Sequence, residues 1–202
     1  AEGMRYLVLS PVLTQLDHLN LDQNEVGDEG IQSLMASPRP AQMRVLSLNA
    51  CTISDAGAKL LAQGDWPCLE RLELKLNTVG QEGALALAEA PGLSPSLRRI
   101  WRQHAAAQPL TLELEPGGRR YTVLPGESVQ IGRTADNDLV LGYPTVPRQQ
   151  CTLSVTQEAA HLRDTRSASG TYINGVAQHD KALRIDDHIQ LGPVTARVMS
   201  VP

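Results

Sequence analysis

A repeat of about 27 residues is the feature that most restricts what this sequence can fold into. Three segments, 16–34, 43–61 and 69–87, can be laid over one another without gaps. Glycines recur at one phase of these copies and of the short stretch before them: Gly3, Gly30, Gly57 and Gly83. A single unit of this length cannot bury its own apolar face, so the sequence predicts several units that stack on one another.

Each copy of the repeat is typical of a short strand, a turn and a helix. The strand alternates apolar and polar residues, as in Leu19-Asn20-Leu21, and an apolar helical face follows. Between them lies a turn position where a polar or small side chain can satisfy the backbone: Asn24, Cys51 and Asn77. Prolines follow the helices, where a residue without an N–H can end a helix: Pro38, Pro67 and Pro95.

The phrase LxxLxLxxN followed by GDEG or GQEG resembles leucine-rich repeats of the ribonuclease-inhibitor-like kind. The resemblance covers residues 1–104 and implies a short α/β solenoid of about three and a half units. Leu97 and Ile100 repeat the strand phase, and we expect Trp101 to cover the end of the stack. Because the sequence starts inside a unit, with Ala1 rather than Met, we expect a fragment with a truncated start.

Alternate strand positions should form a concave face on these repeats. The expected residues carry mixed charge: His18, Asn20, Asp22, Ser47, Asn49, Arg71, Glu73, Lys75 and Arg99. The resemblance implies a protein-binding surface. The alternative is the solvated face of a structural spacer, because interfaces usually depend on aromatic or arginine anchors, which are few here.

After Pro109 the sequence changes to short, mostly alternating segments at regular spacing, separated by Pro-Gly-Gly, Pro-Gly and other turn phrases. This pattern predicts an antiparallel β-sandwich over residues 109–202. The predicted strand segments are 110–114, 120–124, 128–132, 138–142, 151–155, 160–164, 170–175, 189–192 and 196–200.

The turn phrases of this second part are more specific than its strands. IGR, then DLVL, then D-x-x-S-x-x-G-T-Y-x-N-G, then L-x-x-D-D-x-I-x-L-G resembles, in this order, the forkhead-associated (FHA) domain. The resemblance implies a signalling module that binds phosphothreonine peptides through loops at one end of the sandwich. A phosphate group requires a guanidinium, a hydroxyl and amide donors in fixed positions.

The resemblance also identifies candidate binding residues, and several depart from the family pattern. Arg133 matches the family's phosphate-binding arginine, and we expect Gly132 to turn the backbone there. In the family's Ser-Arg-x-His phrase, Pro147 replaces the phosphate-binding serine and Gln150 replaces the buried histidine that holds the loop, so we expect Arg148 to lie on a loop that has lost its anchor. Ala168 stands where a polar residue is common. The candidates for binding a phosphopeptide or another anion are Arg133, Arg148, Arg166, Ser167, Ser169 and Asn174.

These changes leave three interpretations of the second part open. The first is a degenerate site in which three arginines bind an altered anionic or unphosphorylated protein partner. The second is a genuine phosphothreonine reader, and the third is a purely structural sandwich. In the third, Arg133 forms a surface ion pair with Asp136, Asp138 or Asp164, and Asn174 serves only a type I′ turn.

Composition and motifs favour a non-enzymatic protein-interaction adaptor or scaffold. The sequence has no dinucleotide-binding, Walker or HExxH phrase, so we expect no cofactor and no metal. A nucleophile at Cys151 with His161 or His188 is the enzymatic alternative. The formal net charge of −4 and the lack of a long apolar run argue against nucleic-acid and membrane partners. Three cysteines without a CxxC pair favour a reducing, cytoplasmic compartment.

Overall fold

The fold is described from a computed structural model, which covers residues 2–38, 41–106, 108–165, 167 and 169–202. The chain divides into two compact units, Ala1–Ala106 and Ala107–Pro202. We refer to them as the repeat half and the sandwich half. No helix within the described ranges is long and apolar enough to cross a lipid bilayer.

The repeat half alternates short strands with helices. Its three strands form a parallel sheet in the order of the sequence: β1 (His18–Asn20), β2 (Val45–Ser47) and β3 (Arg71–Glu73). Its helices are α1 (Glu2–Leu9), a 3-10 helix (Pro11–Gln15), α2 (Gly27–Ala36), α3 (Asp55–Ala62), α4 (Gln81–Glu89) and α5 (Pro95–Ala105). Strand, turn and helix therefore recur as predicted in the three copies, while a complete solenoid stays a prediction.

The repeating glycines lie where the carboxylate of one repeat meets the helix of the next. Asp55 Oδ1 accepts hydrogen bonds from the backbone N–H groups of Gly80 (2.7 Å) and Gly83 (2.9 Å), at the start of α4. A Cβ atom on Gly83 would lie 2.6 Å from that oxygen. Asp28 bonds the N–H of Gly57 in the same way, at 3.1 Å. At Gly57 and Gly83 the glycine therefore leaves the space that a capping carboxylate from the preceding repeat occupies, whereas a Cβ atom on Gly30 would meet Val26 and Met4.

The carboxylate ladder ends at the third repeat. Gln81 occupies the position equivalent to Asp28 and Asp55, and its Nε2 donates to the carbonyl of Ala105 at 3.0 Å, at the end of α5. An amide can donate to a carbonyl, whereas a carboxylate cannot. The glutamine therefore suits its neighbour, because α4 is followed by the end of α5, which offers a carbonyl, and not by the helix start of a further repeat, which offers N–H groups.

The prediction that Leu97 and Ile100 repeat the strand phase is wrong, because both lie in α5. Ser94 caps this helix by accepting a hydrogen bond from the N–H of Leu97 at 3.3 Å, and Pro95 occupies its first turn. Pro95 therefore begins a helix rather than ending one. Leu97 and Trp101, four residues apart, are buried, whereas Ile100 is 44% exposed.

The sandwich half contains a six-stranded sheet, in the order β11-β10-β13-β14-β4-β5, and a five-stranded sheet, in the order β12-β9-β8-β6-β7. Its first strands are β4 (Leu110–Glu115), β5 (Arg119–Val123), β6 (Ser128–Gly132), β7 (Leu139–Val140), β8 (Cys151–Val155) and β9 (Ala160–Asp164). The remaining strands are β10 (Thr171–Ile173), β11 (Val176–Gln178), β12 (Asp180–Ala182), β13 (His188–Leu191) and β14 (Val194–Ser200).

The predicted β-sandwich is confirmed, and its strand segments are found close to their predicted positions. All of the strand pairs are antiparallel except β6 with β7, within the described part of this half. β11 and β12 were not predicted, because their residues are mostly exposed and lack the alternation of apolar and polar residues that marks a half-buried strand.

Candidate functional site

Arg133 directly follows β6, and main-chain acceptors on the neighbouring loop hold it. Its backbone N–H donates to the carbonyl of Pro147 at 2.9 Å, and its side-chain Nε donates to the carbonyl of Val146 at 3.1 Å. The residue is exposed, and its terminal nitrogens Nη1 and Nη2 have no hydrogen-bond partner among the described residues. One edge of the guanidinium is thus fixed, and the other remains available to an anion.

Arg133 does not form any of the ion pairs expected for a purely structural role. None of the ion pairs found among the described residues joins it to Asp136, Asp138 or Asp164. Asp138 instead accepts a hydrogen bond from the backbone N–H of Gln130 at 2.8 Å. The cationic end of Arg133 therefore keeps its charge uncompensated by these three carboxylates.

Gly132 allows the loop that contains Arg148 to approach the end of β6. A Cβ atom at this glycine would collide with the carbonyl oxygen of Arg148 and would lie 2.7 Å from Asn137 Oδ1. Asn137 Nδ2 donates to that carbonyl at 2.7 Å, and the Thr134 hydroxyl oxygen lies 3.0 Å from it. Close approach of two backbones, rather than the expected need for a turn, therefore explains the glycine.

The side chain of Arg148 is exposed and lies close enough to Asp136 to affect its ionisation. Hydrogen bonds from the Thr134 hydroxyl and from its own backbone N–H lower the pKa of Asp136, with smaller contributions from Gln149 and from the charge of Arg148. Asp136 is therefore ionised at neutral pH. Its carboxylate offsets a small part of the positive charge of Arg148.

Gln150 joins the loop before β8 to the loop before β10. Its side chain is 1% exposed, and its Nε2 donates to the carbonyl of Gly170 (2.8 Å), to Thr171 Oγ1 (3.2 Å) and to Ser167 Oγ (3.5 Å). The expectation that the loop had lost its anchor is therefore wrong, because the buried amide makes the connection that the sequence analysis assigned to a histidine. Its Oε1 is buried and has no hydrogen-bond partner among the residues that the structure describes.

Asp164 fixes the same loop from β9. Its Oδ1 accepts the backbone N–H of Ser167 at 2.7 Å, and its Oδ2 accepts the hydroxyls of Ser167 (2.8 Å) and Thr171 (2.6 Å). The Ser167 hydroxyl proton is therefore committed to the protein. Ser167 acts on the shape of the loop, whereas Ser169 in the same loop is exposed.

Asn174 lies at the other end of β10, in the two-residue turn that joins it to β11. It has φ 54°, and Gly175 has φ 78°, which is the backbone geometry of a type I′ turn. Its Nδ2 donates to Asp187 Oδ1 at 2.7 Å, and its Oδ1 accepts the N–H of His188 at 2.8 Å. Asn174 therefore ties two turns together and does not join the arginines.

The structure thus places Arg133 and Arg148 on two loops, after β6 and before β8, that hydrogen bonds connect. Gln150 and Asp164 make hydrogen bonds to the third loop, which lies between β9 and β10. Arg166 and Ala168 lie outside the described residues. Sequence reasoning missed the anchoring role of Gln150. A polar residue directly before the buried strand β8 was the available signal, because a buried amide requires hydrogen-bond partners.

Cys151 has the properties of a structural cysteine. It is 1% exposed in β8, and burial, with a contribution from the charge of Asp164, raises the pKa of its thiol to about 12. The exposed His161 has its Nδ1 3.6 Å from Asp180 Oδ1, and His188 is exposed on β13. A thiol with this pKa carries almost no thiolate at neutral pH, and the thiolate is the nucleophile.

The polar face of the repeat sheet is internally connected. Ser47 Oγ lies 2.7 Å from Asp22 Oδ1 and 2.9 Å from Glu73 Oε2, and Asn49 Nδ2 lies 3.2 Å from an oxygen of each carboxylate. Ser47 and Asn49 are consequently buried. Arg99 lies in α5 and not on a strand, so its assignment to this face by strand phase is wrong.

Comparison with known families defines both halves. The leucine-rich repeat family model matches residues 12–35, 43–62 and 67–88, and the FHA domain family model matches residues 129–192. The chain therefore carries leucine-rich repeats followed by an FHA domain.

Three individual relatives each match about half of this chain. The chain is 36% identical over 113 residues to the ABC transporter ATP-binding/permease protein Rv1747 of Mycobacterium tuberculosis, which covers 55% of this chain and 11% of that protein. An FHA domain solved for the analysis of phosphothreonine-dependent FHA domain interactions is 31% identical, with a TM-score of 0.44 over 47% of this chain and 99% of that chain. The FhaA FHA domain, solved with the intracellular domain of Rv3910, is 31% identical, with a TM-score of 0.42 over 44% and 98%.

Proposed function

We propose that this protein is a non-enzymatic interaction adaptor whose FHA domain binds an acidic or phosphorylated protein segment, with weak selectivity for phosphate. The observation that carries the proposal is the geometry of Arg133. The carbonyl of Val146 holds its Nε, and its two terminal nitrogens remain exposed. A guanidinium fixed along one edge can form a bidentate contact with a carboxylate or phosphate without a further loss of side-chain freedom.

Weak phosphate selectivity follows from Pro147. Proline has neither a hydroxyl nor an N–H to offer to the third oxygen of a phosphate. The Ser167 hydroxyl does not replace it, because Asp164 accepts its proton. A hydrogen bond to a charged group contributes about 1.5 to 3 kcal/mol, so its loss removes roughly 10- to 100-fold in affinity.

A second candidate, a genuine phosphothreonine reader, is favoured by Gln150. The hydrogen bond that its Nε2 donates to the carbonyl of Gly170 connects the segments before β8 and β10 without a histidine. In that function Arg133 and the exposed Ser169 would contact the phosphate.

For the repeat half we propose a short solenoid whose polar face contacts protein. Exposed His18, Asn20 and Arg71 support this role. The buried pair Ser47 and Asn49 instead orders the carboxylates beside them. The alternative, a structural spacer, predicts that substitutions at the three exposed positions change no interaction.

Calorimetric titration with three peptides of one sequence, carrying threonine, glutamate or phosphothreonine at the central position, tests the proposal. We expect the glutamate and phosphothreonine peptides to bind within about 10-fold of each other and the threonine peptide to bind more weakly. Arg133→Ala should lower both anionic affinities by at least about 10-fold, and Arg133→Lys should restore part of the loss. Preference for phosphothreonine beyond about 100-fold would establish the second candidate instead.

Pro147→Ser provides the matched gain-of-function control. The new hydroxyl should raise affinity for the phosphothreonine peptide and leave the glutamate peptide nearly unchanged, because only the phosphate has an additional oxygen to accept the bond. Equal gains for both peptides would contradict the assignment of this loop to the phosphate.

A further inference from the structure

The β1 edge of the repeat half is less buried than the equivalent positions further along the chain. Leu7 and Leu21 are only partly buried. Their equivalents are at most 2% exposed: Leu34, Leu61 and Leu87 for Leu7, and Leu48 and Leu74 for Leu21. The same residue type at the same phase of the repeat therefore lacks a covering layer only at this edge.

An apolar cavity of about 400 Å³ lies at this edge. Met4, Leu7, Leu21 and Val26 provide its apolar lining, and Asn24 lies among them. Three further apolar side chains close by in the sequence are strongly exposed: Tyr6 (70%), Leu9 (80%) and Val12 (56%). Three of the five strongly exposed large apolar side chains in the described part of the repeat half thus lie within its first 12 residues, and the other two are Leu85 and Ile100.

Asn24 shows what kind of group the edge accepts. Its equivalent, Asn77, is buried, and its Oδ1 accepts the backbone N–H groups of Cys51 (2.9 Å) and Ile53 (3.0 Å) from the preceding repeat. Its Nδ2 also donates to the carbonyl of Leu48 in that repeat at 2.7 Å.

Asn24 makes only the local part of this set. Its Nδ2 donates to the carbonyls of Leu21 (2.9 Å) and Asp22 (3.0 Å), and its Oδ1 accepts nothing from the described residues. The bonds that it lacks are those that join one repeat to the repeat before it. The complement is therefore a backbone turn that presents two N–H groups two residues apart.

We propose that this edge receives a further strand-and-turn segment of the same repeat type, carried by the same polypeptide directly ahead of α1. The segment pairs in parallel with β1, covers Leu7 and Leu21, and places two backbone N–H groups on Asn24 Oδ1. Continuity with the existing interfaces favours this occupant, because β1 and β2 pair in parallel and each turn leads directly into the helix of its own repeat.

An N-terminal extension of the chain tests the proposal. Residues 69–80, fused directly ahead of Ala1, reproduce the register in which Gly83 follows its own strand and turn. Unfolding is followed by tryptophan fluorescence, because both tryptophans, Trp66 and Trp101, lie in the repeat half. We expect the midpoint of thermal unfolding to rise by about 4 °C or more relative to a chain that carries a scrambled extension of equal composition.

Asn24→Ala distinguishes an added segment that bonds to Asn24 from one that only covers the apolar side chains of Leu7 and Leu21. It removes the two local turn hydrogen bonds in the chain without the extension, and it should cost more in the extended chain, where it also removes the bonds to the added segment. No gain over the scrambled extension, or an equal effect of Asn24→Ala in both chains, would overturn the proposal. Concentration-dependent dimerisation of the unextended chain that the correct extension does not abolish would assign the edge to a second copy instead, and would also overturn it.

Discussion

Gln150 shows that a single residue can determine whether a loop keeps its hydrogen-bonded anchor. From the sequence, its replacement of a histidine suggests a loosened loop. In the structure, its amide occupies the same kind of bridging position through the carbonyl of Gly170. The order of the motifs predicted which residues belong to the site. It did not predict that a glutamine can take the place of the histidine, because this depends on the Gly170 carbonyl lying within hydrogen-bond distance of its amide.

Gln150→Leu should destabilise the sandwich half. The change keeps a buried apolar side chain of similar size and leaves the Gly170 carbonyl without its donor, which costs about 1 to 3 kcal/mol. Thermal unfolding monitored by circular dichroism measures the effect, with the exposed neighbour Gln149→Leu as control. Equal midpoints for the two variants would refute the bridging role.

The three cysteines should differ sharply in reactivity. Burial raises the pKa of Cys151 to about 12 and that of Cys51 to about 11, whereas Cys68 is exposed. Because both pKa values are raised, the thiols of Cys151 and Cys51 stay protonated at pH values near 8. A disulfide reagent should label only Cys68 quickly in the folded chain. Fast labelling of a double variant, Cys51→Ser with Cys68→Ser, would reopen the enzymatic alternative at Cys151.

At the scale of the element, the repeat period predicted strands and helices well but assigned the last segment wrongly. Leu97 and Ile100 match the strand phase, yet Ser94 and Pro95 together form a helix start, and this local signal determines α5. The glycine phase was visible in the sequence. Its cause at Gly57 and Gly83 was not, because the carboxylate that fills the space comes from a residue 29 or 28 positions earlier.

Gly83→Ala tests the contact between repeats. The new methyl group would lie 2.6 Å from Asp55 Oδ1, so we expect a loss of about 1 to 3 kcal/mol in the free energy of unfolding. Gly3→Ala is the matched control, because it occupies the same phase with nothing within 4 Å. Urea unfolding followed by tryptophan fluorescence compares them, and similar losses in both would contradict the crowding argument.

At the scale of the whole molecule, the proposed anion site lies in a protein of net negative charge. The formal net charge is −4, from 18 basic and 22 acidic residues. The net charge therefore does not favour the approach of an acidic peptide, so the contacts with the loop arginines must do so. Composition alone did not indicate an anionic partner, because the positive charge that would bind one belongs to a few loop arginines and not to the whole chain.

Salt should weaken the binding of the phosphothreonine peptide. Added salt screens both effects, but attraction at direct contact outweighs repulsion from charges more than about 10 Å away. We expect affinity to fall several-fold between about 50 mM and 300 mM NaCl. The Arg133→Ala variant should show a flatter dependence, and an affinity that rises with salt would place the binding site away from the arginines.

The replacement of Asp28 and Asp55 by Gln81 gives the repeat array a direction. Each carboxylate is suited to cap the helix that follows it, whereas the amide is suited only to a helix end that offers a carbonyl. Whole repeats can therefore be duplicated or deleted ahead of Gln81 while the same closing helix is kept. Evolution can change the length of such an array from one side only, without altering the segment that leads into the FHA domain.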